Sequence, residues 1–309
     1  MTSSTRTKVT IFGGAGGIGS SVAFNLMLRP VPYDVVVVDT RPNMVTSHVM
    51  DLQDIAAVSE YSTVRGGTAD DAKDSDIVVL SAAVPLRLNT NRLEFLADNA
   101  AIVEELAVPL ISGGWDGVLV MMTNPVDALG TWLHHRTGIA REKLIGYTTN
   151  DSLRLRTGIA LALGVHPRSV DAWVIGEHGQ GQVPILSKIR IDGEATVLTS
   201  EQIAVVREYV DTWYVKHVAL DSGRASTWSS GLGTALLLDS IATDSDEIVT
   251  GSVVLDGEYG VTGSSLGVPI KLGRKGVREI VQWDLSESER SGMTAAGDRV
   301  KAAADSLRT

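Results

Sequence analysis

A short apolar run at residues 9–12 and four consecutive valines at 35–38 bracket a segment whose apolar positions 22, 23, 26 and 27 recur at helical spacing. The pattern predicts strand, turn, helix and strand, and the all-valine run suits a strand covered on both faces of a sheet. Farther on, Val45, Val49, Leu52, Ile55 and Ala56 line one face of a helix over 43–58, with Met44 and His48 beside it. Further strands are expected at 61–65, 76–81, 117–122 and 144–147, and a helical pattern runs from Arg92 towards Ile111. Past residue 148, strands are expected at 171–176, 182–191, 248–256 and 265–271. Helices are expected from Asp151, over 201–220 and over 225–241, with a charged closing helix at 284–307. The changeover falls near Thr148, which divides the chain into 1–148 and 149–309.

The first turn of this pattern is glycine-rich, Gly13-Gly14-Ala15-Gly16-Gly17-Ile18-Gly19. Within Gly14-x-Gly16-x-x-Gly19 each glycine has a mechanical reason: a sharp turn, close approach of backbone to a pyrophosphate, and close helix-to-strand packing. The helix that follows offers its N-terminal amides to phosphates. Gly13, Gly14, Gly16, Gly17, Ile18 and Gly19 are therefore the expected cofactor-binding turn. Asp39 ends the second strand about 20 residues past the last glycine, where a carboxylate accepts from adenosine ribose hydroxyls. A phosphorylated ribose would meet that anion at close range, so NAD is expected rather than NADP, with Arg41 near enough to soften the preference.

Composition narrows the class. At 309 residues the chain has room for two domains of ordinary size. It has no cysteine, which excludes disulfides, thiolate metal sites and cysteine nucleophiles together and fits a cytoplasmic protein. The net charge is −10 with no basic cluster, so nucleic acid is not an expected partner, and an anionic substrate requires a few locally concentrated arginines. Apolar runs are shorter than the roughly 20 residues a membrane helix needs, and the polar start gives no expected secretory signal.

Candidate chemistry sits at strand ends. The polar loop over 82–91 follows a strand at the end where open α/β sheets bind ligands. Asn124 precedes Pro125 and so lies in an extended turn, its amide free to point at the cofactor. Asp151 and Arg154 stand three apart on one helix face, a spacing that also fits a simple helix-start ion pair. His178, in Gly-Glu-His-Gly, is presented by a tight turn at a strand end. His48 reads as a packing or interface residue. The pair His134-His135 reads as solvated or capping, because adjacent helical residues face different sides and no carboxylate stands at ligand spacing. No metal is expected.

Taken together, Gly-x-Gly-x-x-Gly, Asp39, Arg92, Asn124-Pro125, Asp151-x-x-Arg154 and Gly-Glu-His178-Gly resemble, in order and spacing, the L-lactate and malate dehydrogenase family. The resemblance runs nearly the whole chain, to Tyr259-Gly260 and Leu272-Gly273-Arg274-Lys275-Gly276-Val277. It implies a doubly wound parallel sheet (Rossmann) binding NAD, followed by a second α/β substrate domain. It also implies reversible hydride transfer between NADH and a small 2-oxo acid, and assembly as a homodimer or homotetramer. Histidine suits the proton step because its ordinary pKa, about 6.5, lies near working pH. By resemblance His178 is the acid and base, Asp151 its orienting partner, and Arg154 the fork that grips the substrate carboxylate. Arg92 matches a mobile-loop arginine that polarises the reacting carbonyl. Asn124 is expected against substrate or nicotinamide, with Ser226 and Ser230 lining the far wall of the pocket.

One position departs from the family. The loop residue that reads the substrate side chain is usually arginine in malate enzymes and glutamine in many lactate enzymes, and this chain has Leu86. A second carboxylate facing Leu86 would lose water without gaining a cation, which argues for a neutral side chain such as that of pyruvate or a larger 2-oxo acid. Arg87 is its neighbour, and Leu88-Asn89 replaces the usual Pro-Gly pair, so a shifted loop that turns Arg87 inward restores malate as the alternative. Short-chain dehydrogenases need lysine four residues after a tyrosine, and none of the six tyrosines has it. A catalytically inactive NAD-binding sensor or scaffold is the reading from another class; it gives no reason to keep His178, Asp151, Arg154 and Arg92 together.

Overall fold

The computed structural model describes residues 6–59, 61–85 and 92–307, with the side chains of residues 92–94 outside the description. Its first half begins with β1 (Thr7–Phe12), α1 (Gly17–Leu28), β2 (Tyr33–Val38), α2 (Pro42–Asp54), β3 (Thr63–Gly66) and β4 (Ile77–Leu80). There follow α3 (Arg92–Ser112), β5 (Val118–Met121), α4 (Val126–Thr137) and β6 (Leu144–Tyr147). These strands pair in the order β3-β2-β1-β4-β5-β6, all parallel, which is the doubly wound arrangement expected from the sequence. Strand order reverses between β1 and β4, and ligands bind in the crevice outside the strand ends at such a point.

Side-chain alternation divides these strands between two helical layers. Val9, Ile11, Val35, Val37, Val79 and Val120 belong to the core on the side of α1, whose Val22, Ala23, Leu26 and Met27 are fully buried. Phe12, Val78, Leu80, Leu119 and Met121 face the other way, onto Leu96 and Val103 of α3 and Leu129 and Leu133 of α4. Each aliphatic side chain buried in this way contributes roughly 1.5–3 kcal/mol relative to exposure.

The second half supplies α5 (Thr149–Leu163), β7 (Val170–Asp171), β8 (Val174–Gly176), β9 (Gln182–Pro184), β10 (Arg190–Ile191), β11 (Glu194–Ala195) and α6 (Ser200–Ala219). The chain ends with α7 (Trp228–Ala242), β12 (Val249–Asp256), β13 (Thr262–Gly273), β14 (Gly276–Ile280) and α8 (Glu287–Asp305). The sheet does not stop at residue 148: β12 pairs antiparallel with β6, and β13, β8 and β9 follow it outward. A separate small sheet joins β11, β10 and β7, and packs with α5 and α6 around Leu155, Ile159, Val170, Ile189 and Val206.

Three expectations change. The single strand over 171–176 is divided into β7 and β8, which belong to different sheets; between them the Ala172 carbonyl accepts from Arg156 Nε at 3.0 Å instead of from a neighbouring strand. The strand over 182–191 is likewise β9 and β10 in different sheets, with a 3₁₀ turn at Leu186–Lys188 between them; Pro184, which lacks an N–H, ends the first piece. The helix over 43–58 ends at Asp54 and finishes as a 3₁₀ turn, leaving Ala56 exposed. The hairpin strand β14 was not anticipated. No helix among the described residues is long and apolar enough to cross a membrane.

Candidate active site

The glycine turn forms between β1 and α1 because nothing larger fits. Gly13 has φ +75°, and a Cβ there would lie 2.6 Å from the Ala82 amide nitrogen; a Cβ on Gly19 would lie 2.3 Å from the Gly13 carbonyl oxygen. The first turn of α1 has neither a side-chain cap nor an acidic residue, so its amides and the positive end of the helix dipole are left to an anion. The turn thus fits the pyrophosphate of a dinucleotide. Asp39 stands at the end of β2, its Oδ2 accepting from the Ala15 amide at 3.1 Å. Arg41 closes a fork on the same carboxylate, Nε to Oδ1 at 2.9 Å and Nη2 to Oδ2 at 3.1 Å. Partial burial opposes the charge on Asp39, but the Arg41 hydrogen bonds prevail and hold it below the usual carboxylate range.

The turn after β8 delivers His178, and the first turns of α5 deliver Asp151 and Arg154. His178 Nδ1 lies 2.6 Å from Asp151 Oδ2, and Asp151 is almost wholly buried. Arg154 Nη1 approaches Asp151 Oδ1, an oxygen with no hydrogen-bond partner, at 3.5 Å. The guanidinium of Arg154 lies over the ring of Trp213 on α6, 4.0 Å from its centre. Burial works against a charge on His178, but the Asp151 carboxylate beside it wins, so the imidazole titrates above its ordinary value.

The other candidates are distributed unevenly. Asn124 is exposed at the end of β5, where its Oδ1 accepts from the Val126 amide at 3.3 Å; the peptide to Pro125 is cis. Ser226 is half-buried with its hydroxyl 3.1 Å from that of Ser229. Ser230 is buried, its hydroxyl donating to the Ser226 carbonyl and accepting from Asn150 Nδ2 at 2.7 Å, so that it braces the start of α7. Leu86, Arg87 and the side chain of Arg92 lie outside the described residues. A cavity of about 540 Å³ separates Gly16–Ser20 and residues 81–85 from the segment 217–228. Among the described residues no cluster of His, Asp and Glu has the makings of a metal site.

Sequence reasoning missed several contributors. Asp127 is buried in the first turn of α4; its Oδ2 accepts from the His178 amide at 2.6 Å and its Oδ1 from the Ser252 hydroxyl. Glu177, beside the histidine, pairs with Arg299 of α8 at 3.0 Å. Asn99 of α3 ties the Val84 amide to the Asn124 carbonyl. An acid three residues past Asn124 was a usable signal for Asp127; Trp213 had none beyond its place on an amphipathic helix.

Comparison with known proteins gives this geometry its setting. Residues 7–146 match the lactate/malate dehydrogenase NAD binding domain, and residues 148–308 match the alpha/beta C-terminal domain of the same family. The chain belongs to the lactate/malate dehydrogenase family. It is an oxidoreductase of the CH–OH group of 2-hydroxy acids, and its coenzyme is NAD. Malate dehydrogenase of Halobacterium salinarum is 34% identical, with 97% of this chain and 99% of that protein aligned. L-lactate dehydrogenase of Mycoplasma mobile is 33% identical over 93% of each. The crystal structure of Cryptosporidium parvum malate dehydrogenase superposes with a TM-score of 0.91 at 26% identity, covering 98% of this chain and 99% of that one. The minor L-lactate dehydrogenase of Enterococcus mundtii superposes with 0.90 at 28%, covering 98% of both. Both malate and lactate enzymes are thus among the proteins this chain is similar to.

Proposed function

We propose that this family member is an L-2-hydroxy acid dehydrogenase whose 2-oxo substrate carries a neutral side chain, pyruvate or a larger analogue. The observation that carries the catalytic part of this reading is the 2.6 Å contact between His178 Nδ1 and Asp151, with Arg154 beside it. Held by the glycine turn and Asp39, NAD would supply the hydride acceptor, and NADH the hydride donor, for the substrate's C2. With Nδ1–H donated to Asp151, Nε2 is the atom that gives a proton to the ketone oxygen in reduction and takes one from the hydroxyl in oxidation. Asp151 fixes that tautomer and favours the imidazolium. Arg154, its plane backed by Trp213, offers two parallel hydrogen bonds to the substrate carboxylate and so sets which face meets the nicotinamide. Arg92 polarises the reacting carbonyl, Asn124 touches substrate or nicotinamide, and Ser226 with Ser230 shapes the far wall. Residues 1–148 serve the coenzyme and 149–309 the substrate.

The substrate side chain is read at Leu86. An NADH-oxidation panel of pyruvate, oxaloacetate and bulkier 2-oxo acids tests this directly. Leu86→Arg is expected to raise kcat/KM for oxaloacetate about tenfold or more, since a cation is then supplied for the second carboxylate. Selective loss of oxaloacetate reduction in Arg87→Ala would overturn the neutral-substrate reading in favour of malate. The naming of the Halobacterium relative as a malate dehydrogenase is what keeps that second reading in view.

Assembly as a homodimer or homotetramer belongs to the same proposal. Phe24 and Leu28 of α1 and Leu232 and Leu236 of α7, two helices packed on each other, are each about half exposed and stand four apart on their helices, which makes them the apolar surface offered for assembly. Sedimentation is expected to show an oligomer that Leu232→Glu with Leu236→Glu dissociates. A wild-type monomer at micromolar concentration contradicts it.

A further inference from the structure

The coenzyme turn described above draws its phosphate-facing groups from residues 13–19, all of them uncharged. The cavity over that turn has a second wall, formed by 217–228 at the end of α6 and the approach to α7. In a chain of net charge −10, the cation that meets a pyrophosphate has to be placed locally. Among the described residues lining the cavity, Arg224 is the one that carries a permanent positive charge, while Asp221 supplies a negative one.

Arg224 is held in place without being neutralised. Its Nη2 donates to the Thr227 hydroxyl at 2.9 Å, and its guanidinium lies 5.0 Å from the centre of the Trp228 ring. Its carbonyl oxygen lies 3.1 Å from His217 Nε2, and the His217 ring stacks on Trp213. Thr227 in turn sits against the glycine turn, where a Cβ on Gly17 would come within 2.8 Å of its Cγ2. The side chain that steadies the guanidinium therefore stands directly on the N-terminus of α1. No ion pair to Arg224 occurs among the described residues, whereas Arg41, the cation on the other side of the turn, is committed to Asp39. Cation–π support and a hydroxyl acceptor leave the remaining guanidinium N–H groups available to a ligand.

We propose that Arg224 is a second phosphate clamp for the coenzyme, reaching across from the other half of the chain to grip the pyrophosphate opposite the amides of α1. The amides and helix dipole hold one side of the anion, and the guanidinium, through charge-assisted hydrogen bonds, holds the other. Coenzyme binding then fastens the segment leading to Ser226 onto the glycine turn. The proposal rests on NAD as coenzyme and is independent of which 2-oxo acid is reduced.

The test is an equilibrium titration without substrate, following NADH fluorescence in wild type, Arg224→Ala and Arg224→Lys at low and high salt. ADP-ribose, which carries the pyrophosphate, and adenosine, which lacks it, serve as competitors. Arg224→Ala is expected to weaken NADH and ADP-ribose by roughly ten- to a hundredfold while leaving adenosine unchanged. It is also expected to flatten the salt dependence of the dissociation constant, and lysine restores part of the affinity. Thr227→Val, which keeps bulk beside Gly17 but removes the hydroxyl, gives a smaller loss of the same pattern. An unchanged NADH affinity in Arg224→Ala overturns the proposal, as does an equal loss for adenosine. A loss confined to the 2-oxo acid KM at saturating NADH assigns the guanidinium to the substrate and equally overturns it. Because the titration involves no turnover, failure of the proton-transfer reading leaves this result standing.

Discussion

Phenylalanine in place of His178 lowers kcat/KM for the best 2-oxo acid by roughly 10²–10⁴-fold, the range that loss of a positioned general acid removes. The substitution keeps an aromatic ring of similar size in the turn after β8 but deletes the nitrogen facing Asp151 and the proton on Nε2. Coenzyme affinity should stay near wild type, because the glycine turn and Asp39 lie on other elements. Steady-state NADH oxidation together with an NADH titration separates the two quantities. Wild-type turnover in this variant would remove the basis of the mechanism.

The same imidazole sets the pH profile. Ketone reduction requires the protonated form, and the folded-state pKa of His178 lies above its ordinary 6.5. Reduction is therefore sustained through neutral pH and declines as pH rises through that raised value, while oxidation of the hydroxy acid gains over the same window. The stability linked to this group follows the same sign, being fully present below the unfolded pKa and lost as pH rises through the folded one.

How much of this was legible in the chain depends on whether the information was local. β1, the glycine turn, α1, β2 and Asp39 follow one another within residues 7–39, and apolar period, glycine and acid all point to one unit. The division of 171–176 and 182–191 between two sheets was not legible, since it depends on partners such as Arg156 at the Ala172 carbonyl that only the folded chain supplies. The expected ion pair between Asp151 and Arg154 is present, yet the closer contact of Asp151 is with His178, 27 residues on. The family resemblance, carried by the order and spacing of the motifs, gave His178, Asp151 and Arg154 as one group. It gave no hint of Trp213 beneath the arginine or of Asn99 tying residue 84 to residue 124, because both act through space from helices whose pattern reports only burial.

Asp127→Ala is expected to cost roughly 2–6 kcal/mol of stability, and the reason lies in what its carboxylate satisfies. It receives the half-buried His178 amide and the buried Ser252 hydroxyl, and truncation leaves both donors without that acceptor, at about 1–3 kcal/mol each. Asp127→Asn separates charge from hydrogen bonding. Its carbonyl oxygen can still accept from His178, and its amide can donate to the Ser252 oxygen, so folding survives while the charge is gone. Burial, opposed by the Ser252 and His178 hydrogen bonds, pushes this carboxyl up to about 7. The folded chain therefore holds a proton here that the unfolded chain releases near its ordinary 3.8, so this group's share of stability falls as pH rises from about 4 to about 7 and then levels. Denaturant unfolding across that range should show a shallower fall for Asp127→Asn than for wild type. The alkaline limb of reduction should also move to lower pH, because an anion near His178 has been removed. Parallel stability curves and an unmoved limb would reduce Asp127 to a hydrogen-bond acceptor, whereas a shift in both ties the protonation of the α4 carboxyl to the acid strength of the histidine it carries.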